Sequence, residues 1–227
     1  MAPPSLGTEV HRISEFQAHL PAATSLLIGA ITGGLGLTVL WAVTRHLNTI
    51  AHEGAHAVMG SSVGGRIGEV RVLRDGTGKT RVTLGGGRGG QVMVLLAGYP
   101  GPSLFGLGAA KLISFGHIVA VLWVALLALA VLLPVLRNPF GVVSVVVTGV
   151  LLFTAARYAA LGVQVAVAYA ITWFLLLSGV RVVLDHGKGA IDAGELRKLT
   201  WLRPGIWSGL WLAATFAALV AGTVLLT

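Results

Sequence analysis

The five residues His52-Glu53-Gly54-Ala55-His56 have the spacing H-E-x-x-H. If residues 48–60 are helical, His52 and His56 stand one turn apart on one face, spaced to hold a single Zn²⁺. Glu53 falls at the edge of that face, within reach of a water on the metal without having to be a ligand. The chain contains no cysteine, which excludes disulfides, iron–sulfur clusters and thiolate zinc sites. Any metal must therefore use His, Asp, Glu or water.

The elements that position these residues are apolar. Of the 227 residues, 55% are hydrophobic and 11% charged, and mean hydropathy is +0.86; a soluble domain carries about 25% charged residues. Runs near the ~20 residues that a bilayer core requires occur at about 22–44, 91–112, 116–136, 139–157, 159–184 and 204–226. The expected fold is an all-α polytopic membrane protein with about six transmembrane helices. A short, more polar helix at 46–63 carries the motif. Residues 1–21, with Glu9, Arg12 and Glu15, read as an N-terminal extramembrane segment without the features of a cleaved signal peptide. Residues 22–227 then form a single membrane-embedded domain. Gly29 and Gly33 have the spacing of ordinary close helix contacts.

Residues 64–90 change character. Arg66–Leu73 and Lys79–Leu84 partly alternate around the turn signal Asp75-Gly76-Thr77-Gly78, which predicts a small β-hairpin followed by the linker Gly85–Gly90. The linker lacks the Lys-Ser/Thr of a phosphate-binding loop, so nucleotide binding is excluded. An exposed hairpin edge beside the motif offers a place for an extended segment to pair, although a plain basic connector fits the pattern as well.

Charge placement predicts topology. The 64–90 segment, Arg45, Arg137 and the 181–203 segment together hold thirteen of the sixteen Lys and Arg residues, leaving Arg12, Lys111 and Arg157. The positive-inside rule puts the thirteen in the cytoplasm. The net charge of +8 then reflects topology and anionic lipid headgroups, not nucleic acid.

Catalytic zinc usually takes three protein ligands. Glu9 and Glu15 precede the first span, and Glu69 and Asp75 belong to the hairpin, which leaves Asp185, His186, Asp192 and Glu195. Asp192-Ala193-Gly194-Glu195 also has capping-box spacing, and Asp185 also fits a helix end beside Lys188. Spacing alone leaves Asp185 and Asp192 equal.

Asn48 through Ala57 resembles the motif helix of the site-2-protease class of membrane-embedded zinc metallopeptidases, in its short bacterial, peptidase M-fifty B-like branch. The resemblance continues through Ala97-Gly98-Tyr99-Pro100-Gly101-Pro102-Ser103, Arg137-Asn138-Pro139-Phe140-Gly141, Gly179-Val180-Arg181 and Asp192-Ala193 with Leu196, Leu199 and Thr200. It implies a zinc peptidase of a bacterial cell membrane, acting on a membrane protein or peptide. In that family a later aspartate completes the zinc site, and the Asp-Ala pair points to Asp192. Zn²⁺ would be held by His52, His56 and Asp192, with Glu53 as general base. One departure stands out: Val182 occupies a position where this branch often has aspartate. It motivates an alternative, a proteolytically inactive accessory or scaffolding subunit of a membrane complex. A metal or proton-coupled transporter fits less well, because intramembrane charges are few and no internal repeat is present. Asn48 reads as a helix-interface polar residue and Tyr99 as an interfacial anchor.

Overall fold

Proline and glycine divide the apolar sequence into helices. The computed structural model describes residues 14–85, 87–186 and 189–227; Glu9, Arg12, Lys188 and one linker glycine, Gly86, lie outside them. Helix α1 (Ala22–Ile31) follows Pro21 and continues as a π-helical stretch, Thr32–Val39, that contains three glycines. After a break at Leu40, α2 (Trp41–Ser62) carries the motif. Helices α3 (Arg88–Ala97) and α4 (Gly101–Ser114) meet at a bend of 67°. Pro100 lies in the break and Pro102 in the first turn of α4, and neither has an N–H for a continuing helix. Helix α5 (Ala120–Leu132) ends in a 3₁₀ turn around Pro134. The chain finishes with α6 (Pro139–Tyr158), α7 (Leu161–His186), α8 (Ile191–Thr200) and α9 (Pro204–Leu226). Pro139 and Pro204 occupy first helical positions, where a missing N–H costs nothing.

Among the described residues, four helical segments are long and apolar enough to cross a bilayer: Ala22–Val39, α6, α7 and α9. The α3–α4 pair makes a fifth if counted as one broken span. Two of the six apolar runs do not form single helices of spanning length. The 91–112 run is split by the Gly98–Pro100 break, and the 116–136 run yields only the shorter apolar helix Ala120–Val135. The motif helix also differs from expectation. It is 22 residues long, not short, because no proline or turn interrupts Trp41–Ser62.

Helix α7 is the centre of the bundle. Tyr169 and Leu176 on it are fully buried, and Trp173 nearly so. Glycines on its neighbours allow the close approach. A methyl group at Gly29 would lie 2.9 Å from the Trp173 ring, and one at Gly106 would lie 2.9 Å from the Leu176 backbone nitrogen. Gly33 faces Leu177, so the Gly29/Gly33 pair makes the bundle contacts expected of it.

The hairpin is present as strands β1 (Arg66–Val72) and β2 (Gly78–Thr83), paired antiparallel with an irregularity between Ile67 and Glu69. That bulge at Gly68 explains the partial alternation in sequence. One extra residue keeps Ile67 on the same face as Val70 and Val72, which are fully buried. At the turn, Asp75 Oδ1 accepts from both the N–H and the hydroxyl of Thr77. These bonds hold the Asp75 carboxyl below its ordinary pKa. Gly76 adopts φ +85° there, a conformation that suits glycine.

The outer edge of β1 is not free. Arg137 N–H donates to Val70 O (3.0 Å), Val72 N–H donates to Asn138 Oδ1 (3.1 Å), and Asn138 Nδ2 donates to Val72 O (2.6 Å). The Asn138 amide therefore takes the place of a neighbouring strand. Ladder alternation leaves the outward peptide groups of Gly78, Thr80 and Val82 on β2 as the open edge. Asn138→Ala is expected to cost about 1–3 kcal/mol, because it orphans both Val72 groups. The loss is read as a lower Tm in detergent and faster amide exchange at Val72.

Candidate metal centre

Helix α2 brings the motif residues inward as its spacing requires. His56 is 6% exposed and Glu53 3% exposed. His52 and His56 point their Nε2 atoms at one another, 3.1 Å apart. The opposite ring nitrogen of His56, Nδ1, lies 2.7 Å from the carbonyl of Val94 on α3. Donation from Nδ1–H to that carbonyl fixes the tautomer and leaves the Nε2 lone pair facing the site, an arrangement characteristic of metal-binding histidines.

The third group is Asp192, in the first turn of α8. Its Oδ2 lies 3.3 Å from His52 Nε2 and 3.3 Å from His56 Nε2. Helix α8 is anchored by Ala193 and Leu196, both fully buried in an apolar cluster with Tyr99, Trp207 and Trp211. That anchoring turns Asp192 toward the histidines. Ala190, not Asp192, is the N-cap, and no side chain caps this helix, so the capping-box reading is corrected. Burial opposes ionisation of Asp192, yet the two imidazoles outweigh it and hold its carboxyl below the usual range.

These three donors fit a zinc ion. Bonds of about 2.0–2.1 Å in tetrahedral geometry place ligand atoms about 3.3 Å apart, close to the spacings found. Asp192 Oδ2 is buried without a hydrogen-bond partner, although two nitrogens lie beside it. A buried carboxylate oxygen in that position is costly unless something positive satisfies it.

Asp185 does not join them. It pairs with Arg181 at 3.1 Å and its side chain is 46% exposed, while Arg181 stacks over Trp41. Glu195 pairs with Lys198 at the surface. His186 binds back to the carbonyl of Val182. Val182 itself lies in the apolar cluster around Tyr99 and Trp211.

Glu53 lies beside the histidines but faces β2. Its Oε2 accepts from the Thr80 hydroxyl at 2.6 Å. Helix α2 is not one of the candidate spans, and burial raises the Glu53 carboxyl pKa above its ordinary value, against the pull of the two histidines and Thr80. Asn48, one turn before His52, is buried and its Oδ1 has no partner. Tyr99 is not an exposed anchor. It is 7% exposed, meets His52 edge-on and stacks on Trp211.

Thr80, Gly98 and Val94 are neighbours of the site that the sequence did not reveal. Gly98 packs directly over the imidazoles: a methyl group there would contact His56 Nε2 and lie 2.6 Å from His52 Nε2. Val94 contributes only a backbone carbonyl, for which side-chain identity carries no signal.

Two imidazoles and a carboxylate converge within a bundle of apolar helices, with a buried glutamate next to them. Together these define a multi-pass membrane protein with a preformed candidate metal centre. Residues 23–222 match the family described as Peptidase M50B-like, and the chain belongs to that family. Neither the curated proteins nor the solved structures yielded a match.

Proposed function

We propose that this protein is a membrane-embedded zinc peptidase that hydrolyses membrane-associated or transmembrane substrates. The observation that carries the reading is the convergence of His52, His56 and Asp192 around an orphaned carboxylate oxygen, in a chain of a peptidase family. His52, His56 and Asp192 would hold the metal. Zinc, when bound there, supplies Lewis acidity toward water and the scissile carbonyl. The Val94 carbonyl fixes the ring orientation and tautomer of His56. Glu53 takes a proton from the attacking water and delivers it to the leaving amine, a role suited to a carboxylate whose burial makes it more basic. The open edge of β2 runs next to Glu53, and an extended substrate segment paired there would lie along the site.

Topology supports the same reading. Arg45 donates to the carbonyl of Arg74 in the hairpin, Arg137 pairs with β1, and Arg88 stacks over Trp201 after α8. We assign the basic segments to the cytoplasmic face of a bacterial cell membrane, against anionic headgroups.

The test is Glu53→Gln in protein reconstituted into vesicles with single-span peptides. The variant is expected to keep one zinc per chain and to lose about 10²–10⁴-fold in cleavage rate. A zinc-loaded parent that cleaves no better than Glu53→Gln would instead favour an accessory subunit. The Val182 position no longer argues for that alternative. Its side chain packs among apolar neighbours, and the acid facing the histidines comes from α8.

A further inference from the structure

We propose that Thr80 is a positioning residue for the base, and that strand β2 is consequently part of the reaction apparatus; this rests on the peptidase reading above. Glutamate has three side-chain torsions and needs fixing if its carboxylate is to meet a water in one orientation. Two residues of β2 do this. Thr80 Oγ1 lies 2.6 Å from Glu53 Oε2, the short distance of a hydroxyl donating to a carboxylate. Gly78 abuts the other side of the same group. A methyl at Gly78 would contact Glu53 Oε1 and lie 2.6 Å from Cγ and 2.7 Å from Cδ. Residues 78 and 80 share one face of the strand, so β2 offers a donor and a gap two positions apart, both fitted to Glu53.

Thr80 also has a second acceptor, the backbone carbonyl of Glu53, 3.2 Å from Oγ1. A hydroxyl has one proton to give and lone pairs to receive. While Glu53 is a carboxylate, Thr80 donates to Oε2. Glu53 then takes the proton from water on Oε1, the oxygen Thr80 does not bind, and the same proton passes from Oε1 to the leaving amine while Oε2 stays held by the Thr80 hydroxyl. Thr80 neither gains nor loses a proton, and it stays paired throughout without moving its backbone.

The competing explanation is a merely structural tie between the hairpin and α2. Thr80→Val keeps the β-branched shape and removes the hydroxyl; Thr80→Ser keeps the hydroxyl. The experiment measures bound zinc, kcat and KM for the parent and both variants, with a single-span peptide in vesicles. All three are expected to bind one zinc per chain. Thr80→Val should lose about 10–100-fold in kcat with KM changed less than about twofold, and Thr80→Ser should stay within about threefold of the parent. Gly78→Ala is the second probe. Its methyl displaces Glu53 with Thr80 intact, so it must lower kcat while zinc stays bound.

A Thr80→Val enzyme with parental kcat overturns the proposal. So does a loss that serine fails to restore, a loss that tracks lost zinc, or full activity in Gly78→Ala. A parent that binds zinc yet turns over no faster than Glu53→Gln overturns the peptidase reading itself, and the role of Thr80 with it. That outcome is distinguishable because it appears in the parent.

Discussion

Asp192→Ala is expected to strip zinc from the protein, whereas Asp185→Ala leaves it bound. Asp185 lies in the last turn of α7 and Asp192 seven positions further on in α8, but their surroundings differ. Asp192 Oδ2 lies 3.3 Å from each imidazole Nε2 and has no hydrogen-bond donor. Asp185 is already neutralised by Arg181 at the surface. A surface pair of that kind contributes little, so its loss should leave the site and the fold intact. Loss of a direct ligand exceeds the ~10–100-fold affinity cost typical of an outer-shell partner. Metal analysis of detergent-purified, reconstituted and dialysed protein reads the result. One zinc per parent chain, one in Asp185→Ala and none in Asp192→Ala is the expected pattern. Zinc retained in Asp192→Ala would remove α8 from the site.

The contrast between these aspartates shows where the sequence was legible and where it was not. The H-E-x-x-H spacing placed His52 and His56 on one face because helical periodicity is local. Strand alternation and the Asp75-Gly76 turn gave the hairpin for the same reason. The third group depended on which helix end returns to α2. That is decided by Ala193 and Leu196 burying α8 against aromatic residues of α9, a contact that spacing cannot show. The broken span is a related case. Hydropathy averages across 91–112, while Pro100 and Pro102 act at single positions and bend the chain by 67°. The π-helical segment at Thr32–Val39 likewise leaves no mark on hydropathy. Thr80 read as one of several polar residues of an alternating strand. Only the register of β2 over α2 brings its hydroxyl to Glu53.

The hairpin therefore has two unequal edges. On β1, Asn138 and Arg137 satisfy the peptide groups of Val70 and Val72, a common protection for an edge strand. On β2 the same face that holds Glu53 borders the open edge. Substrate pairing and alignment of the base would then depend on one strand, and β1 would serve to keep that strand in register.

Gly98→Ala is expected to abolish zinc binding without unfolding the protein. Gly98 has φ −59° and ψ −63°, a helical conformation that alanine adopts freely, so the backbone gives no reason for destabilisation. The obstruction is the methyl group. It would contact His56 Nε2 and lie 2.5 Å from His56 Cε1 and 2.6 Å from His52 Nε2, in space that a metal held about 2.0–2.1 Å from both nitrogens would need. Gly89→Ala on the same α3 helix is the control: nothing lies within 4 Å of that methyl position. It should bind one zinc and be slightly more stable, by about 0.5–1 kcal/mol from helix propensity alone. Zinc content and Tm measured together separate the two effects. A Gly98→Ala protein with a full complement of zinc would show that the metal does not need the space beneath Gly98.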